Sequence, residues 1–169
     1  WHNVRRSNPE LGLQAELTNF VHSGQDLPKE ASSVELMQIV LTNVGPKPLT
    51  LIPTAAIPIF GRSADRVRDR RHVTSLFHRL ATYPYGILVR PTLAFDERGH
   101  RPNTVAYAVL GAEGNGTPPV AFFPKLETFV GAGGSLDWPQ AVVEPGLSGL
   151  AAGHRLAGYE AMGGLRFRT

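Results

Sequence analysis

The sequence has no cysteine, 3 Lys against 14 Arg, and only 8% aromatic residues. Each scarcity removes a class of function. Without cysteine there is no disulfide, no thiol nucleophile and no thiolate-bound metal, which is neutral to mildly supportive of a cytoplasmic home. No apolar run approaches the roughly 18 residues that a membrane span requires, so no membrane partner is expected. No secretory leader pattern stands at the start. The six His form no HExxH pair, so a zinc site is not expected.

Charged residues make 18% of the 169 residues and apolar ones 42%, a globular composition that suits one domain over 1–169. Gly and Pro together make about a fifth of the chain, which favours turns over long helices. Trp1 at one end and a strand-like close at the other read as a piece of something longer.

Apolar patterning gives a series of short strands. Gly12–Val21 is a first strand after the Asn8-Pro9 turn, and a polar loop containing Pro28 follows. Val34–Val44 is apolar in both alternating phases apart from Glu35 and Gln38, the pattern of a central strand covered on both faces. Gly45-Pro46-Lys47-Pro48 is a turn, and Leu49–Phe60 a returning strand that Pro53 and Pro58 push towards an edge. Leu76–Thr82 runs into Tyr83-Pro84-Tyr85-Gly86 and then Ile87–Phe95, which favours a hairpin of strands over a helix. Asp96–Pro102 reads as a polar loop and Asn103–Gly111 as another strand. Val120–Phe123 is a short strand, with Pro124 opening a short helix over Lys125–Val130. A loose run follows to Gly153, and Tyr159–Arg168 is the last strand. About eight short strands with one or two short helices indicate an all-β, antiparallel β-sandwich.

Charge is concentrated in one place. Gly61–Arg79 carries six Arg against two Asp, a local +4 in a chain of net +3. Guanidinium offers a planar fork of donors that fits phosphate, carboxylate or vicinal hydroxyls. A solvated basic loop with Asp65 and Asp69 bracing the arginines is the plain alternative, yet exposed pairs stabilise little. Nucleic acid is not the expected partner, because no aromatic residues interleave with the arginines as stacking platforms. The carboxylates Asp96, Glu97, Glu127 and Glu160 show no spacing of an acid/base pair. The Gly131–Ser135 run lacks the Lys-Ser/Thr of a phosphate loop. No catalytic machine is complete in this chain.

The order of motifs resembles the amino-terminal β-sandwich of inverting glycoside phosphorylases, the cellobiose and chitobiose phosphorylase group and its sister β-glucan families. Leu41-Thr42-Asn43, Ala64-Asp65, His72, Leu76-Phe77, Phe129-Val130-Gly131, Gly134-Ser135 and Pro139 carry the likeness, over about Val34–Val143. Val73 follows His72 where common members have Pro, and the Arg run is more basic than theirs, which fits a sister group acting on longer β-glucans.

The resemblance implies a large sandwich of the galactose-mutarotase type packed on a helical barrel that holds the general acid and the phosphate site. That barrel, absent from this chain, would be the catalytic partner. The sandwich would be inactive alone and need no cofactor. It would contribute to a homodimer and to the rim of a site handling oligosaccharide or glucose 1-phosphate. Arg68, Arg70, Arg71, His72, His78 and Arg79 are then the expected substrate or domain-interface contacts, with Asp65 and Asp69 as braces. A free-standing carbohydrate-binding module, using Trp1, Trp138, Tyr83, Tyr85 or Tyr159 as platforms, is one alternative. An assembly domain docking an acidic partner is another.

Overall fold

Short runs of β-branched and aromatic residues between Gly- and Pro-containing turns fold as antiparallel strands. The structure is a computed structural model and describes residues 1–21, 34–60, 74–96, 99–144 and 146–168. Its described residues are mostly strand, in several antiparallel sheets with little helix. The chain divides into two compact units, Trp1–Thr50 and Leu51–Thr169. No helix among the described residues is long and apolar enough to cross a membrane.

The first unit is one sheet of β1 (His2–Asn8), β2 (Leu13–Val21) and β3 (Glu35–Asn43), in that order and antiparallel. Gly12 allows the β1–β2 turn to approach the far end of β3. Its φ is 64°, and a Cβ there would stand 2.7 Å from the Gly45 Cα. The Gly12 carbonyl accepts from Val44 N–H at 2.8 Å and Gly45 N–H at 3.2 Å. Asn43 closes the expected turn: its Nδ2 donates to Lys47 O at 2.7 Å and its Oδ1 accepts from Gly45 N–H at 3.0 Å. On the β1–β2 ladder, Glu16 accepts from Asn3 Nδ2 at 2.9 Å and pairs with Arg5 at 3.1 Å. Those two donors hold the Glu16 carboxyl below its ordinary pKa, the Asn3 bond foremost.

Two sequence expectations fail in this unit. β3 is an end strand whose nine residues are all exposed, not a central covered one. An apolar run in both phases states what a strand could bury, and its place in the sheet decides what it does bury. β1 was not expected, because HNVRRSN carries almost no apolar signal and is a strand through its ladder with β2.

The second unit has two sheets that share a core. β4 (Thr54–Ile59), β10 (Ala121–Lys125) and β12 (Ala161–Arg166) form one, in the order β10-β12-β4. β5 (His78–Tyr83), β6 (Gly86–Pro91), β9 (Tyr107–Leu110) and β11 (Arg155–Ala157) form the other, in the order β11-β5-β6-β9. β7 (Leu93–Asp96) and β8 (Gly99–Pro102) make a separate hairpin. Leu80, Ile87 and Val89 from one sheet meet Ile59, Phe122, Ala161 and Leu165 from the other in a single core cluster. The opposite face of β12 packs Met162 with Phe123, with Phe129 of the short helix Leu126–Val130, and with Ala141 of the short helix Gln140–Val143.

Close packing on β12 depends on its glycine pair. A Cβ on Gly163 would lie 2.5 Å from Val109 Cγ2, and one on Gly164 would lie 2.7 Å from Phe123 Cβ. Arg166 closes the same strand by donating Nη1 to Leu147 O at 2.8 Å and Nη2 to Ala141 O, with its guanidinium 4.8 Å from the Phe123 ring centre. Desolvation there lowers its pKa.

The hairpin expected at Tyr83–Gly86 forms between β5 and β6. The expected strand Ile87–Phe95 breaks at Thr92 into β6 and β7, and the expected loop Asp96–Pro102 contributes β8. Leu49–Phe60 contributes strand only from Thr54, paired with β12 rather than returning on β3; Pro58 sits on the end strand β4, where a missing N–H is tolerated. Pro124 lies inside β10 beside a register shift between Phe123 and Lys125, so the helix begins after Lys125. β11 was not expected either, because three residues carry too little pattern.

Candidate functional site

The outward face of the four-stranded sheet is the most distinctive chemical surface among the described residues. β5 alternates strictly: His78, Leu80 and Thr82 are buried, and Arg79 and Tyr83 are exposed with Ala81 half-buried between them. β6 buries Ile87 and Val89 and turns Leu88 and Arg90 outward. The two-residue connection Pro84-Tyr85 fixes the register, so Arg79 stands directly opposite Arg90 and Ala81 opposite Leu88. β11 adds Arg155 opposite Ala81, diagonal to Arg79. Three exposed guanidinium side chains therefore share one sheet face across three adjacent strands.

These three arginines line one shallow depression of about 310 Å³, with Ala81, Tyr83, Leu88 and Leu156 in its wall. No carboxylate lines it, and none pairs with Arg79, Arg90 or Arg155 among the described residues. Arg79 Nη1 donates to His78 O at 3.1 Å and Leu76 O at 3.4 Å, which leans the side chain along its own strand. Like charges directly opposite on an antiparallel pair oppose that pairing. Arg79 and Arg90 thus carry a local cost that an anion between them would offset.

A second depression of about 350 Å³ adjoins through Ala81, Tyr83 and Arg155, and is completed by Thr82, Pro84 and residues 152–154. His154 is exposed there, with Nδ1 3.0 Å from Ala151 O. A carbonyl only accepts, so Nδ1 is the donor in this contact. Thr82, buried at 2% exposure, holds this wall in place. Its hydroxyl donates to Ala151 O at 2.8 Å and accepts from His154 N–H at 3.0 Å. Its backbone exchanges hydrogen bonds with Gly153 N–H at 2.8 Å and His154 O at 3.0 Å. Those four bonds set where β11, and with it Arg155, meets β5.

Of the residues expected from sequence, Arg79 lies on this face. His78, one residue before it, points into the protein: it is 5% exposed, with Nδ1 3.2 Å from Tyr159 O. Strand alternation separates the two, so they cannot share one ligand on this face. Arg68, Arg70, Arg71, His72, Asp65 and Asp69 lie outside the described residues. Arg90 and Arg155 were missed. The signal for Arg90 was legible, because a two-residue turn at Pro84-Tyr85 forces Arg79 and Arg90 into register. Arg155 had no local signal, since its place depends on residues about seventy positions earlier in the chain.

The expected sugar platforms divide by exposure. Trp1, Trp138, Tyr83 and Tyr85 are exposed, while Tyr159 is half-buried under the Lys125 ammonium, 4.4 Å from its ring centre. No group of three or more His, Asp and Glu among the described residues is placed to hold a metal ion. Neither a scan of family models nor a search of curated proteins gave a match to this chain.

Proposed function

We propose that this chain is the non-catalytic β-domain of a carbohydrate-active phosphorolytic enzyme, one that cleaves β-linked glucosides reversibly with inorganic phosphate. In this reading the two sheets of the second unit, joined across one core, are the two layers of a galactose-mutarotase-like sandwich. A helical-barrel catalytic domain, a homodimeric assembly and a cytoplasmic location belong to the same proposal.

One observation carries it: three of the motif residues behind the resemblance, Asn43, Phe129 and Gly131, occupy fold-forming positions. Asn43 closes a turn, Phe129 is fully buried, and Gly131, with φ of 84°, ends a helix against Gln140. Motifs of that kind specify a scaffold, which supports a supporting role for this chain rather than a catalytic one. The outward guanidinium face fits the rim of a site that handles sugar phosphates.

The test is an assay of the complete gene product on β-linked gluco-oligosaccharides with and without inorganic phosphate. Phosphate-dependent release of glucose 1-phosphate is expected. Cleavage that ignores phosphate, or no cleavage across the β-1,2, β-1,3 and β-1,4 series, would remove the proposal.

A second reading, a carbohydrate-binding module, is favoured by Trp138, which is 73% exposed and free to stack on a sugar face. Calorimetry with neutral β-glucan oligosaccharides decides it: heat lost in Trp138→Ala supports the module, and no heat at millimolar ligand sinks it.

A further inference from the structure

We propose that the face formed by Arg79, Arg90 and Arg155 is a binding site for a phosphate monoester, with the phosphate among the three guanidinium groups and the attached ring against Tyr83. The anion site stands on the geometry alone, and only the choice of a sugar phosphate as its ester rests on the proposed function.

Four observations point to a small dianion. The three arginines come from three neighbouring strands and line one depression. Arg79 and Arg90 are direct cross-strand partners, so the register sets two like charges side by side and an anion between them would offset their repulsion. No carboxylate among the described residues neutralises the set. Arg79 directs only Nη1 at backbone carbonyls, which leaves Nη2 and Nε as donors.

Scale then selects the ligand. Three adjacent strands span about 10 Å, enough for one phosphate group and a ring but short for a polymer track. The depression, about 310 Å³, is of small-ligand size. A phosphate monoester near neutral pH carries close to two charges and three strong acceptor oxygens, which can engage more than one guanidinium fork. Tyr83, 47% exposed at the end of the same row, offers a ring face to the sugar. Leu88 and Ala81 supply an apolar floor between the charges.

The experiment is calorimetric titration of the full chain with glucose 1-phosphate, inorganic phosphate and glucose. Glucose 1-phosphate should bind, inorganic phosphate should bind more weakly, and glucose should give no heat. Arg79→Ala and Arg90→Ala should each weaken the ester roughly tenfold or more, the scale of one charge-assisted hydrogen bond. Arg90→Lys should keep part of the affinity, and rising salt should weaken the wild type more than the alanine variants. All three arginines are exposed, so unchanged circular dichroism is expected and separates lost binding from lost folding.

No ester binding at several millimolar, or equal binding by the triple alanine variant, overturns the site. So does a glutamate-rich peptide that binds through the same arginines more tightly than the ester, since it would assign the face to a protein partner. Ester binding without phosphorolysis by the complete gene product keeps this site and removes the proposed function. Phosphorolysis without arginine-dependent ester binding does the reverse.

Discussion

The two units bury their apolar residues very differently. In Leu51–Thr169, alternating strands bring Leu80, Ile87, Val89, Phe122 and Leu165 together, and a second cluster forms around Phe129 and Met162. In Trp1–Thr50, no described residue is buried, although β3 holds Leu36, Met37, Ile39, Val40 and Leu41. Within that unit the sheet is organised by its ladders, its Asn43 turn and the Gly12–Gly45 approach. Apolar content alone therefore says little about stability; what matters is whether a second layer meets it.

Segment-resolved hydrogen exchange in urea can break or sharpen that contrast. The largest effect is expected for Phe129→Ala. It removes a fully buried ring in edge-to-face contact with Phe123, at 5.8 Å between centres, and should cost about 3–5 kcal/mol in the second unit. The matched change in the first unit, Ile39→Ala, starts from a side chain 48% exposed and should cost less than about 1.5 kcal/mol. Equal losses would erase the distinction between the units.

Gly163→Ala comes next, at about 1–3 kcal/mol, because the new methyl must displace Val109 where the two sheets meet. A thermal melt unchanged by this substitution would show that the sheets adjust freely. Asn43→Ala should cost about 1 kcal/mol, read as faster exchange of the Gly45 amide with the second unit unaffected.

The smallest effect concerns Glu16. Its carboxyl is held below the ordinary value by Asn3 and Arg5, so the folded state favours its ionised form. That contribution is complete above the unfolded pKa and is lost as pH falls through the lower folded one. Exchange at the β1–β2 ladder should rise across that acidic window and should not in Glu16→Gln. The same acid response in the variant would remove Glu16 as its cause.

Much of the strand list was legible because alternation and turn chemistry are local. β2, β3 and the β5–β6 hairpin stand close to where the residues put them. What was not legible is what neighbours decide. β1 is polar and gains its conformation from β2, β3 is apolar yet ends its sheet, and the Asp96–Pro102 run becomes half of a hairpin. The candidate site follows the same division. Local density drew attention to Gly61–Arg79, whose residues 61–73 lie outside the described part, whereas the face seen here is assembled from arginines 11 and 65 positions apart.

Thr82 gives this face a property of its own. A single hidden hydroxyl and its backbone peg the segment before β11 to β5, and so set the spacing between Arg155 and the other two cations. The charge layout outside is thus tuned from within. Thr82→Val, nearly isosteric but unable to make either hydroxyl bond, would shift a surface electrostatic pattern without touching a charged residue. Recognition on this sheet can drift through its interior while every arginine stays in place.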